Sequence, residues 1–210
     1  MKPEVKVLKP FGPSIAKVKI PEETVNALNK YVDETVKDQK KMEELNHGKN
    51  LAGNVKQEFK LTPKTMEELK WGSFLMESAA QWIGFSTGKK ISKFEIISSW
   101  IVRQFEHEYN PIHYHGGHIS GVGYLKVPKN LGEYYQEGKR MNVNGQIELI
   151  HGSAAFLSES TYKIKPEVGD FYFFPHHLMH TVYPFKGTNE ERRSISFNAK
   201  VDDRIFDIFT

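Results

Sequence analysis

The stretch that decides the fold is NPIHYHGGHISGVGYLKVP, residues 110–128. It places three histidines within six positions, then glycines, then a segment that reads as a β-strand. A second stretch, GDFYFFPHHLMHTVYPF at 169–185, adds three more histidines around another aromatic strand. Six of the nine histidines therefore flank two strand-like segments. Either they are scattered polar residues on loops, or the two segments meet and hold a metal. On a strand, residues i and i+2 point to one face, so His113 and His115 can reach the same ion. A third donor must come from elsewhere in the chain. His180 is best placed, because it follows DFYFFP and precedes TVYPF. His107, His118, His151, His176 and His177 read as ordinary loop residues.

Working outward, the texture from residue 91 onward is β-rich. ISKFEIISSWIVRQF, HISGVGYLKVP, GQIELIHG, STYKIKP, DFYFFP, HTVYPF and RRSISFNAKV are short, and Gly, Pro or Asn separates them. Many short strands at regular spacing predict a sandwich or barrel. Upstream the pattern is helical. Residues 4–20 suggest two short strands around a Pro/Gly turn. Residues 21–38 predict an amphipathic helix with Val25, Leu28, Val32 and Val36 inward. Residues 61–85 predict one further helix, capped by Thr62 with Pro63 at its first position. Met66, Leu69, Met76, Ala79 and Ile83 form its expected buried stripe, and Trp71 and Trp82 read as packing residues. Between these helices, residues 37–60 read as a long polar loop. The expectation is a single domain over 1–210, with strands and supporting helices in 1–90 and a β core in 91–210.

The bulk numbers narrow the chemistry. With 39% hydrophobic and 12% aromatic residues, this is a chain that folds. A net charge of +3, with lysines and glutamates interspersed, is no nucleic-acid footprint. There is no cysteine, so disulfides, thiolate metal sites and cysteine nucleophiles are excluded. A metal here must be held by nitrogen and oxygen. The sequence shows no signal-peptide pattern and no apolar run of membrane-spanning length, so a cytoplasmic protein without a membrane partner is expected.

Downstream of His180 lies NEERRSISFN, residues 189–198. As a strand it puts Arg192, Ser194, Ser196 and Asn198 on one face. A buried guanidinium needs an anionic partner, and arginine pairs with carboxylates through two parallel hydrogen bonds. A bound carboxylate ligand is therefore expected near the histidines. The other arginine of the pair, Arg193, reads as a plain surface residue. Tyr124, in GVGYLKV, can add a phenolic hydrogen bond to the same carboxylate.

These motifs, HYHGGHISGVGYL, GDFYFFPHHLMHTVYP and RRSISFN in that order, resemble the Fe(II)- and 2-oxoglutarate-dependent oxygenases. The likeness is to the prolyl-hydroxylase-like branch, near its small bacterial and phage members, and spans roughly residues 95–200. It implies a double-stranded β-helix, a jelly roll of the cupin kind that is mainly β with flanking helices. It also implies an oxygenase that uses iron(II), 2-oxoglutarate and dioxygen to hydroxylate a C–H bond. His113 matches the first ligand of the HxD/E motif and His180 the distal histidine. Arg192 matches the arginine that binds the far carboxylate of 2-oxoglutarate, with Tyr124 and Ser194 beside it. No catalytic residue beyond the iron ligands is implied.

The departure is His115, which stands where the family has a carboxylate. Three arrangements remain open: a three-histidine site, water completing the shell beside His115, or a degenerate site. Histidine ligands must be neutral, so activity is expected to fall as pH drops through the histidine range. The substrate implied is a peptide or protein residue such as proline, with a small molecule as the other option. Residues 37–60 and 129–146 are candidate lids. The competing functions are a three-histidine cupin-type dioxygenase without 2-oxoglutarate and a non-catalytic β-sandwich binding protein.

Overall fold

The computed structural model describes residues 12–132 and 142–206. The N-terminal part comprises β1 (Ala16–Lys19), α1 (Glu22–Thr35), α2 (Gln39–Leu45), β2 (Gln57–Lys60), α3 (Pro63–Glu68) and α4 (Trp71–Thr87). The β core follows as β3 (Phe94–Gln104), β4 (Asn110–His113), β5 (Ile119–Lys126), β6 (Ile147–Ile150) and β7 (Thr161–Ile164). It is completed by β8 (Asp170–Pro175), β9 (Met179–Val182) and β10 (Arg192–Val201), and the short helix α5 (Asp203–Phe206) comes last.

The strands form two antiparallel sheets. One has the order β1-β8-β5-β10-β3-β2 and the other β4-β9-β6-β7. From β3 to β10 the chain crosses repeatedly between them, which is the winding of a double-stranded β-helix. The helices cover the outer face of the larger sheet. Leu28, Val32, Trp71, Leu75 and Ala79 pack there with Ile101, Phe171, Phe173, Ile195 and Phe197. A second cluster fills the space between the sheets, with Val122, Tyr124, Ile147, Leu149, Tyr172 and Phe174.

The parity of β8 explains its composition. Phe171 and Phe173 face the helices, while Tyr172 and Phe174 face the second sheet. A strand buried on both sides loses alternation and becomes a continuous apolar run. The glycines of β5 have a packing reason. A methyl at Gly121 would come within 2.7 Å of both the Phe171 and Phe197 rings, so the bare backbone makes room for them.

Three expectations change. Residues 37–60 are not one loop, because they contain α2, a 3-10 turn at Gly48–Asn50 and β2. The helix was hidden because it is only seven residues long and buries Leu45 alone, so its periodicity is absent. Residues 61–85 form two helices, broken at Lys70, whose backbone takes φ 54°. Thr62 does cap α3, accepting from Thr65 N at 3.2 Å. The break resets the phase, so Leu75 is buried and Met76 is 46% exposed. The first of the two strands expected in 4–20 lies outside the described residues. Among the described residues no helix is long and apolar enough to cross a membrane.

Candidate metal centre

The histidines meet where the small sheet ends. β4 pairs with β9, and this register sets His113 opposite His180. His115 lies two residues past the end of β4. Its backbone N–H donates to His176 O at 3.0 Å, which holds the extension in place. The ring centroids are 5.0 Å apart for His113–His115, 4.3 Å for His113–His180 and 4.9 Å for His115–His180. The candidate ligand nitrogens of all three lie within 4.8 Å of one another.

Second contacts orient two of the rings. His113 Nδ1 is 2.8 Å from Pro111 O, and His180 Nδ1 is 2.9 Å from Leu178 O. A carbonyl only accepts, so each Nδ1 carries the hydrogen and each Nε2 keeps its lone pair. Burial keeps the rings neutral. It pushes His115 down to about 3, with His180, His113 and His176 adding repulsion. Burial also pushes His180 down to about 4, with His113 adding to the shift, and lowers His113 despite its hydrogen bond to Pro111. The expected loss through the ordinary histidine range is therefore displaced to lower pH. The donor set is three neutral imidazoles ready to bind a cation.

Arg192 faces the same cavity as the three histidines, with Trp100, Val102, Ser194 and Ser196. It is 1% exposed. Nη1 donates to Gln104 Oε1 at 3.1 Å and to Ser194 Oγ at 3.4 Å. Its guanidinium carbon sits 5.0 Å from the Tyr124 ring centroid. Nε and Nη2 of Arg192 and the Tyr124 hydroxyl have no hydrogen bond of regular geometry among the described residues. Burial pushes the Tyr124 phenol up to about 12, against the pull of Arg192. No carboxylate among the described residues meets these donors. An unbalanced buried guanidinium is costly, and a ligand carboxylate would satisfy it. The residues fit both groups that the sequence suggested: a metal on nitrogen donors and an organic acid beside it.

Arg193 corrects a reading. It is 1% exposed, not a surface residue. It points to the helix side, pairing with Glu191 at 2.6 Å and Asp33 at 2.7 Å and donating to Asn29 Oδ1 at 2.9 Å. Adjacent arginines thus face opposite sides of β10: Arg193 is neutralised, and Arg192 has no carboxylate partner among the described residues.

Residues 98–198 match the sequence family described as "Putative 2OG-Fe(II) oxygenase". Residues 98–198, just under half of the chain, thus carry the sequence signature of the 2OG-Fe(II) oxygenases. No curated protein matches the sequence. Among solved structures, a Pseudomonas putida prolyl-4-hydroxylase is similar at 15% identity and TM-score 0.58, over 88% of this chain and 91% of that one. The viral collagen prolyl hydroxylase of Paramecium Bursaria Chlorella virus-1, in a 2OG complex, is similar at 16% identity and TM-score 0.54, over 88% and 94%. A Trichoplax adhaerens prolyl hydroxylase, in complex with a hypoxia inducible factor peptide fragment, gives 12% identity and TM-score 0.56, over 93% and 87%. At these identities the structural likeness speaks for the double-stranded β-helix, and the family match supplies the chemistry: iron(II), 2-oxoglutarate and dioxygen.

Sequence reasoning missed one part of this site. Gln104, which positions Arg192, carried a signal in its phase with Trp100 and Val102. Asn50, Leu51 and Ala52, within the candidate lid 37–60, line a mouth of about 160 Å³ with Trp100, Asn110 and Tyr114.

Proposed function

We propose that His113, His115 and His180 hold iron(II), and that Arg192, Tyr124 and Ser194 take the far carboxylate of 2-oxoglutarate. The oxygenase would then hydroxylate a C–H bond of a peptide or protein residue, with proline the first candidate. The observation that carries this reading is Arg192, buried in the histidine cavity beside Tyr124 with no carboxylate paired to it among the described residues. That arginine favours the reading over a three-histidine dioxygenase that does without 2-oxoglutarate, in which it would have no anion.

When bound, iron(II), 2-oxoglutarate and dioxygen supply the oxidation, converting the oxo acid to succinate and carbon dioxide as one oxygen atom enters the substrate. The chain's residues do the rest. The neutral imidazoles fix the metal. Arg192, set by Gln104, offers Nε and Nη2 to one carboxylate, and the Tyr124 hydroxyl donates beside them. Val122, Phe174 and Ile147 wall the cavity and exclude water. Tyr109, Ile112 and Tyr114 are exposed around β4, an apolar rim suited to an extended chain. Neighbours named as acting on collagen and binding a peptide support a peptide substrate. A cytoplasmic setting belongs to the same proposal, since a cysteine-free chain needs no oxidising compartment.

The test is a panel of proline-containing peptides incubated with iron(II) and 2-oxoglutarate and read by mass spectrometry. Gain of one oxygen, with one succinate formed per event and loss of both in Arg192→Ala, is expected. Succinate formation that is unchanged in Arg192→Ala would refute the carboxylate assignment.

A further inference from the structure

Glu58 is a second carboxylate problem, separate from the iron site. It lies on β2 opposite Val102, so its side chain shares the interior face of the sheet. It is 1% exposed, and neither oxygen has a hydrogen-bond partner among the described residues. Such a group needs a counter-charge or a proton. Another acid, Glu108, itself 8% exposed, acts on it; burial and Glu108 together push Glu58 up to about 7.

The segment between α2 and β2 closes over this carboxylate. A methyl at Gly48 would sit 3.3 Å from Glu58 Oε2 and 3.4 Å from Asn46 Oδ1. One at Gly53 would sit 3.2 Å from Glu58 Oε1 and 2.8 Å from Asn110 Nδ2. Backbone bonds pin the segment: His47 N to Glu58 O at 2.8 Å, Asn54 N to Tyr109 O at 2.8 Å, and Lys56 N to Glu108 Oε1 at 3.2 Å. Glu108 Oε2 accepts from Phe105 N at 2.9 Å. Each Glu108 oxygen retains a lone pair, and turning the Asn110 amide over presents its oxygen.

We propose that Glu58 and Glu108, with the side-chain oxygens of Asn46 and Asn110, bind a hard divalent cation of the calcium type. The donors are all oxygen, which selects calcium or magnesium over the metals that imidazoles prefer. The cation would also brace the mouth of the histidine cavity. The segment that covers Glu58 supplies Asn50, Leu51 and Ala52 to that mouth, and Asn110 lines it directly.

The test uses chelator-stripped full-length protein titrated with calcium by calorimetry, and with terbium read by luminescence excited through Trp100. One calcium is expected to bind the wild type and His180→Ala alike, while Glu58→Gln weakens it by on the order of tenfold or more. Equal binding by Glu58→Gln, or loss in His180→Ala, overturns the proposal. Should Glu58→Gln fail to fold, the wild type decides. Terbium luminescence displaced by calcium upholds the site, and absence of saturable binding of either ion overturns it.

Discussion

His115 and His180, 65 residues apart in sequence, bring their Nε2 atoms to 3.2 Å. Two nitrogens on one ion at about 2.1 Å lie roughly 3 Å apart, so this spacing suits a shared metal. Because His180 Nδ1 faces a carbonyl, its Nε2 lone pair points into that gap.

Removing a ligand should therefore remove the metal. His180→Ala and His115→Ala are expected to lose iron affinity by on the order of a hundredfold or more, since even outer partners of a metal site are worth 10–100-fold. His115→Asp is expected to keep the metal, because a carboxylate at this position supplies one donor and a negative charge. Iron stoichiometry after desalting reads all three. Full retention by His115→Ala would remove His115 from the shell.

Arg192 gives a prediction about 2-oxoglutarate alone. Hydrogen bonds to charged groups contribute about 1.5–3 kcal/mol, so Arg192→Ala should raise the KM for 2-oxoglutarate by roughly 10–100-fold. Arg192→Lys should recover little, because an ammonium lacks the planar pair of donors. Steady-state succinate release measures both. An unchanged KM in Arg192→Ala would place the oxo acid elsewhere.

The neighbouring arginine should behave differently. Glu191 bridges Arg103 at 2.9 Å and Arg193 at 2.6 Å, and although burial opposes it, these guanidinium groups hold its carboxyl down to about 2. Glu191→Ala leaves half-buried Arg103 without this carboxylate and buried Arg193 with Asp33 alone, at an expected cost of about 3 kcal/mol in urea unfolding. The KM for 2-oxoglutarate should not move. A stability change below about 1 kcal/mol would show the pairs behaving as exposed ones.

The metal-free protein should be acid-sensitive in a defined window. His115 and His180 titrate at about 3 and about 4 when folded, and His113 is also lowered, against 6.5 for the ordinary ring. Between these limits the unfolded chain binds more protons, so stability rises with pH. This contribution is complete above about pH 7 and is lost as pH falls from there towards about 3. Thermal melts of metal-free protein should drop across that range, with a shallower slope in His180→Ala. Equal slopes would mean that the rings are not held neutral by burial.

Much of this was legible in the sequence because burial on two faces leaves a mark. DFYFFP is a continuous apolar run for that reason, and Arg192 stands in phase with Ser194 and Ser196 because β10 pairs with β3 without a break from Arg192 to Asn198. Other features depended on distant partners. Arg193 is buried by Asn29 and Asp33 of α1, which no local pattern announces. Glu58 looks like any surface glutamate until Gly48 and Gly53 are seen to close over it. The i+2 spacing of His113 and His115 was visible, but their approach to His180 needed the register between β4 and β9. Of the candidate lids, residues 37–60 supply a wall of the mouth, while the 133–141 part of the second lies outside the described residues.

The most direct test of the account is an anaerobic titration of metal-free protein with iron(II) and then 2-oxoglutarate, followed by visible absorption. Chelation of the metal by the oxo acid gives a weak charge-transfer band and needs no knowledge of the substrate. The account predicts that the band appears in the wild type, vanishes in His180→Ala, and needs far more 2-oxoglutarate in Arg192→Ala. Iron binding without a band, or a band that survives in His180→Ala, would contradict it.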